Sequence, residues 1–237
     1  LVGSEMCIRD RVERAGYYAG QYNMAQWYPK MVVYDQEGWH SDVFHAEGEF
    51  YGEFGDFNVR FDIPKSFIIA ASGVVVEGNP GWEDVVVDTS IEYNVWLDIH
   101  NSNLIEPRED ERRIVTFFAE NVHDFAWFAD KKWLVQKGEL VLPNTLKKVT
   151  LWSFYLPKNA ETWRKSIEYL HDSGYWFSRY YGDYPYNHIT AVDGDLSAGG
   201  GMEYPNITVI ASMPSKHLLE MVIMHEVGHN WFYGIIG

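Results

Sequence analysis

Cysteine is almost missing from these 237 residues: Cys7 is the only one. From Val12 onward there is none, which excludes disulfide and thiol chemistry from that region. Positive charge is scarce as well. Nineteen Lys and Arg stand against 34 Asp and Glu, for a formal net charge of −15. Such a chain repels phosphate backbones, so nucleic acid is not an expected partner. An acidic protein does attract cationic groups, a free α-amino terminus among them. Long apolar runs are also lacking. None reaches the roughly 18 residues that a membrane-spanning helix needs, so no transmembrane segment is expected. What the chain has in quantity is aromatic side chains, 16% of its residues. These are large, rigid core formers that suit a β-rich fold.

The first eleven residues, Leu1 to Arg11, have neither period nor turn logic. They resemble the in-frame translation of a transposon-type sequencing adapter, so residues 1–11 are set aside from the fold. Cys7 lies inside that segment. Its charges cancel, Arg9 and Arg11 against Glu5 and Asp10, so the acidic balance belongs to the rest.

Residues 12–156 read as a series of short strands. Phe57–Ile63 alternates apolar and polar up to Pro64, and Ile91–Ile99 alternates too; period two marks a half-buried strand. Lys148–Leu156 puts Val149, Leu151, Ser153 and Tyr155 on one face. Met31–Tyr34, Val43–Tyr51, Phe67–Glu77, Ile114–Ala119 and Phe125–Phe128 are further strands, separated by Gly, Pro, Asn and Asp. This spacing predicts an antiparallel sandwich or saddle. The character changes near Pro157. Trp163, Ile167, Leu170, Gly174, Phe177 and Tyr181 recur at helical spacing, with Asn159 as candidate cap and Gly182 as stop. Short strands follow at His188–Val192 and Asn206–Ala211, with a Gly- and Asp-rich loop from Asp193 to Gly201 between them. Ser215 then caps a last helix whose inner stripe is expected to be Leu218, Met221, Val222, His225, His229 and Phe232.

That helix carries His225-Glu226-Val227-Gly228-His229, an H-E-x-x-H motif. Histidines four apart lie one turn from each other on one face, so both rings can reach one metal ion. Glu226 points about 100° round the helix, where it can act on a water without being a ligand. Before the helix stands Gly199-Gly200-Gly201-Met202-Glu203-Tyr204-Pro205. Glycines let a backbone approach a ligand closely, and a glutamate beside them can bind a cation. By itself this second stretch reads more readily as a surface turn with a solvated glutamate.

Taken together, Gly-x-Met-Glu followed by H-E-x-x-H-x-Trp-Phe resembles the gluzincin family of aminopeptidase N and leukotriene hydrolase. Gln26-Trp27-Tyr28-Pro29-Lys30 and Gly48-Glu49-Phe50-Tyr51 resemble its bacterial members. The resemblance implies an N-terminal all-β domain over 12–156, then over 157–237 the first part of an α+β, thermolysin-like catalytic domain. It implies one Zn2+ bound by His225 and His229, with Glu226 as general base on the attacking water and proton donor to the leaving amine. It implies that Glu203 binds the α-ammonium of a peptide with a free N-terminus, and that backbone at Gly200 and Gly201 lines the substrate. The family's third zinc ligand, a glutamate about nineteen residues after the second histidine, and its later tyrosine would both fall beyond Gly237, so this chain alone is expected to be inactive. The sequence departs from the family in having Tyr204 where asparagine is usual. Gln21 or Asn23 is a candidate for the polar side chain that the family's first domain adds to the site.

Two other readings compete: a thermolysin-like zinc endopeptidase, and a non-catalytic relative that serves as a binding module. Glu203 argues against the first, and the intact His225, Glu226 and His229 against the second. His40, His45, His100, His123, His171 and His217 read as surface or turn residues, His188 as a structural donor, and Asp193 and Asp195 as loop acids too few for calcium. Glu109 to Arg113 reads as a charged turn. The composition is compatible with export, which is the favoured location, and the cytosol remains open.

Overall fold

The computed structural model describes residues 15–41, 51–82, 86–87, 91–103, 107–108, 110–196 and 199–235. The adapter-like segment 1–11 and most of the expected strand 43–51 lie outside the described residues.

Three sheets and a helical layer stack in series. The outermost sheet has three antiparallel strands in the order β5-β8-β7, with β5 at Gly55–Pro64, β7 at Val74–Gly78 and β8 at Arg112–Val122. The next has four strands in the order β1-β2-β9-β6: β1 Ala15–Tyr18, β2 Gln21–Met24, β6 Ile68–Ala71 and β9 Trp127–Asp130. A small hairpin, β3 (Tyr34–Asp35) with β4 (Gly38–Trp39), stands apart. The third sheet has five strands in the order β10-β11-β12-β14-β13, with β10 at Leu134–Val141, β11 at Lys148–Tyr155, β12 at His188–Asp193, β13 at Gly201–Tyr204 and β14 at Ile207–Ile210. Its three central strands β11, β12 and β14 are parallel, and antiparallel strands close both edges.

The residue pattern explains the stacking. All four residues of β6 are buried. Ile69 and Ala71 pack with Phe61, Phe117 and Phe125 towards the three-stranded sheet. Ile68 and Ala70 pack with Phe154, Val192 and Val209 towards the five-stranded one. The middle sheet is covered on both faces, so its strands cannot show the alternation of a half-exposed sheet. On its far face the five-stranded sheet buries Val149, Leu151, Ile189, Ala191 and Ile210 against helices α2 (Ala160–Trp163), α3 (Ser166–Tyr181) and α4 (Lys216–Gly228). Each of the Val, Leu and Ile side chains contributes roughly 2 kcal/mol.

Several expectations are corrected here. Ile91–Ile99 is not a strand: α1 runs Tyr93–Asn103. The Glu92 carboxylate accepts the Val95 N–H, starting the first turn, while Val95 and Ile99 stay half-exposed. Tyr93, Trp96, Leu97 and His100 are spaced three, one and three apart, so one sequence satisfied both periods. Met31–Tyr34 shrinks to its last residue, and Phe67–Glu77 is split at Ser72-Gly73 into β6 and β7. The 163–181 stripe is broken between α2 and α3 at Arg164-Lys165. Asn159 caps nothing; its Nδ2 donates to both oxygens of Asp193, at 3.0 and 2.8 Å. Arg112 and Arg113 open β8 instead of lying in a turn.

Candidate metal and peptide site

Ser215 starts α4 as expected: its Oγ accepts the Leu218 N–H. The face the helix buries is not the expected one. Leu219, Ile223, Glu226, Val227 and Gly228 are buried, whereas Leu218, Met221, Met224 and Phe232 are 37–49% exposed and His225 is exposed beside them. The helix is apolar nearly all round, so its hydrophobic pattern cannot select a face. The histidine side therefore lines an open cavity of about 710 Å³, shared with Gly200, Gly201, Glu226 and Phe177.

The two histidine rings converge. Nε2 of His225 and Nε2 of His229 are 3.1 Å apart. Two nitrogens at 2.0–2.1 Å from a tetrahedral zinc would stand about 3.3 Å apart, so the pair fits that ion with almost no movement. The other ring nitrogen of His229, Nδ1, lies 3.7 Å from Glu203 Oε1. Ligand atoms of Glu203, Glu226 and His229 all fall within 4.8 Å of one another. That trio alone could hold a cation, but it would leave out His225, whose Nε2 faces that of His229; the convergence favours the histidine pair as the ligand set.

Glu226 is 4% exposed, and its Oε2 has no hydrogen-bond partner. Burial first, then the neighbouring Glu203 carboxylate, pushes its pKa up to about 8. The sheet accommodates this carboxyl through Gly201. A Cβ there would come within 2.6 Å of Glu226 Cγ and collide with Oε1. Gly200, with φ 74, takes the left-handed backbone that leads into β13, and its carbonyl accepts the Ala211 N–H at 2.9 Å. The expected loop thus ends in an edge strand, where Glu203 pairs with Thr208 and faces the histidines. Neighbouring residues on a strand point oppositely. Tyr204 accordingly turns into the core, its ring 6.1 Å from that of Phe128.

Gln21 and Asn23 make their hydrogen bonds to the end of β12 and the residue two beyond it. Gln21 donates to Asp193 O at 2.8 Å and accepts from Asp195 N at 2.9 Å, while Asn23 donates to Asp195 O at 2.8 Å. Asp193 is no loop acid. It ends β12, 1% exposed, and also accepts the Leu156 N–H. His123 is buried and packs against Tyr233, just past the motif, with ring centroids 4.4 Å apart and the planes tilted by 60°. Next to it Asp124 is ringed by Gln26, Tyr28 and Lys30, which explains the Gln-Trp-Tyr-Pro-Lys stretch as the housing of a buried charge. His188, expected as a structural donor, is buried with its Nδ1 2.8 Å from Thr190 Oγ1, the tautomer deciding which of the two donates. Trp231 is core: it packs on Phe177 and Tyr184 and donates to Gly182 O. Sequence reasoning missed Asn206 and Asn230, whose only signal is an ordinary amide in a turn.

The chain shares its fold with part of the M1 zinc metallopeptidases. One from Deinococcus radiodurans matches with a TM-score of 0.56 and 15% identity, over 94% of this chain and 42% of that one. A mutant of a two-domain M1 zinc metallopeptidase bound to L-arginine matches at 0.50 and 16%, over 76% of this chain and 34% of that one. Another, bound to L-tryptophan, matches at 0.50 and 17%, over 76% and 35%. This chain therefore spans well under half the length of each. No family model and no curated protein matches the sequence.

Proposed function

We propose that the protein is a zinc-dependent aminopeptidase that removes the first residue from peptides with a free N-terminus. The observation that carries this reading is the convergence of the two Nε2 atoms at 3.1 Å beside a buried carboxyl with an unpartnered oxygen. A zinc ion held by His225 and His229 would supply Lewis-acid polarisation of the scissile carbonyl and lower the pKa of the attacking water. Glu226 takes the proton from that water and returns it to the leaving amine. Glu203 holds the α-ammonium through a charge-assisted contact and so sets cleavage one residue in. Edge strand β13 offers its outer side to an extended peptide, and Gly200 and Gly201 let that backbone come close. The amino acids bound to two of the similar structures, L-arginine and L-tryptophan, are what an aminopeptidase would release, which supports this reading over an endopeptidase.

The test uses the full-length protein with an aminoacyl anilide and its N-acetylated counterpart. The free-amine compound is expected to be cleaved, a chelator to stop the reaction and added zinc to restore it. Cleavage that ignores acetylation would sink the aminopeptidase assignment; chelator-resistant cleavage would sink the zinc chemistry.

A further inference from the structure

The zinc helix and the Glu203 strand are separate elements, yet the proposed reaction needs them in fixed register: one holds the metal ligands, the other the amino end of the substrate. The two elements touch where Glu226 sits against Gly201 and where His229 approaches Glu203. Two buried asparagines add a hydrogen-bonded tie beyond these contacts. Asn230, next to His229, is 6% exposed, and Asn206, in the turn between β13 and β14, is 3% exposed. Asn230 Oδ1 accepts the Asn206 N–H at 3.0 Å. The Tyr184 hydroxyl, which donates to His188 O at 2.9 Å, lies 3.3 Å from the same Oδ1. Asn230 Nδ2 donates to Val227 O at 3.2 Å, which fixes the amide's orientation. On the other side, Asn206 Oδ1 accepts the Gly73 N–H of the β6–β7 turn at 3.0 Å. Asn206 holds a left-handed backbone, φ 58, which turns its N–H towards Asn230.

We propose that Asn230 and Asn206 are positioning residues: their clasp sets the spacing between the Glu203 carboxylate and the His225–His229 pair, and so the length of substrate that fits between ammonium and scissile carbonyl. The proposal rests on the aminopeptidase reading. It ties three layers together, because Gly73 belongs to the outer sheets, Asn206 to the edge hairpin and Asn230 to the helix end. Removing Oδ1 leaves the Asn206 N–H without its partner and lets the hairpin shift relative to the helix. A displacement near 1 Å at such a site costs about 100-fold in rate.

The experiment compares kcat/KM for a free-amine anilide with that for its N-acetylated form, in the full-length zinc-loaded protein. This ratio does not depend on how much enzyme is correctly folded. Asn230→Ala is expected to lower it about 100-fold while zinc content, read by elemental analysis, stays stoichiometric. In a Glu203→Ala background the same change is expected to move the ratio by less than about twofold, because the group it positions is gone. If Asn230→Ala does not fold, Asn230→Ser, which keeps a shorter oxygen, is expected to give a drop of about tenfold. An unchanged ratio with lower total turnover, full additivity with Glu203→Ala, or loss of zinc would overturn the clasp as a register device. A wild-type protein that does not distinguish the two substrates would overturn the aminopeptidase reading, and the clasp's role with it.

Discussion

Asp193 and Glu226 are both buried carboxyls, one at the end of the central strand β12 and the other on α4 against β13, and they differ in how their oxygens are partnered. Asp193 receives the Leu156 N–H and both contacts from Asn159. Glu226 has an oxygen with no donor at all, and a second carboxylate, Glu203, close by. Burial raises both pKa values, Asp193 to about 6 and Glu226 to about 8. Burial alone therefore does not mark a reactive acid. What separates the two is satisfaction: a carboxyl whose hydrogen bonds are all made stabilises the fold, and one left open beside converging histidines is available for proton transfer.

Substitution at each acid sharpens the contrast. Glu226→Gln should lower kcat about 1,000-fold or more in the full-length protein, with zinc retained and the melting temperature unchanged or higher. Near-normal turnover would end the general-base assignment. Asp193→Ala should do the reverse, costing on the order of 3 kcal/mol in a denaturant titration by stranding buried donors, while leaving zinc bound. Loss of zinc without loss of stability would erase the distinction.

Acid titration probes the same acid more finely. Asp193 has a folded pKa of about 6, above its ordinary 3.8, so the stability it contributes is present below about pH 4 and is lost as pH rises to 6. Buried His188 works oppositely. Its folded pKa is pushed down to about 4 by burial, so its contribution is present above about pH 6.5 and is lost as pH falls to 4. Each is worth about 3 kcal/mol at most. Asp193→Asn removes the Asp193 arm alone, so its urea midpoint should climb relative to that of wild type as pH rises from 4 to 6. Superimposable wild-type and variant profiles would show that Asp193 is not proton-linked to folding. The smallest effect expected is at the start of α4, where Ser215→Ala should cost about 1 kcal/mol through the lost Leu218 contact, measurable as a shift in melting temperature.

Local features were the legible ones. Phe57–Ile63 and Lys148–Tyr155 announce themselves because one face of each strand repeats every second residue. The H-E-x-x-H spacing is likewise complete within one helical turn. Features decided by tertiary context were not. Leu218, Leu219, Met221, Val222, Ile223 and Met224 are all apolar, so only packing against α3 and the sheet selects Leu219 and Ile223 for burial. The middle of β10, Gln136-Lys137-Gly138-Glu139, has no apolar side chain to signal a strand, and pairing with β11 holds it. In β6 the alternation vanishes because both faces are covered. Asn230 and Asn206 carry no periodic signal; their meaning is in partners far away along the chain.

The fit of Glu226 against Gly201 couples two positions that no motif search would join. The space for the carboxyl exists only because the facing residue has no side chain. Drift at one position is thus constrained by the other, and on the proposed reading the glycine belongs to the reactive group as much as any residue that touches substrate. A relative carrying a larger residue at that place would have to abandon the glutamate's present seat, and with it the arrangement of acid and histidines that the rest of the chain is folded to hold.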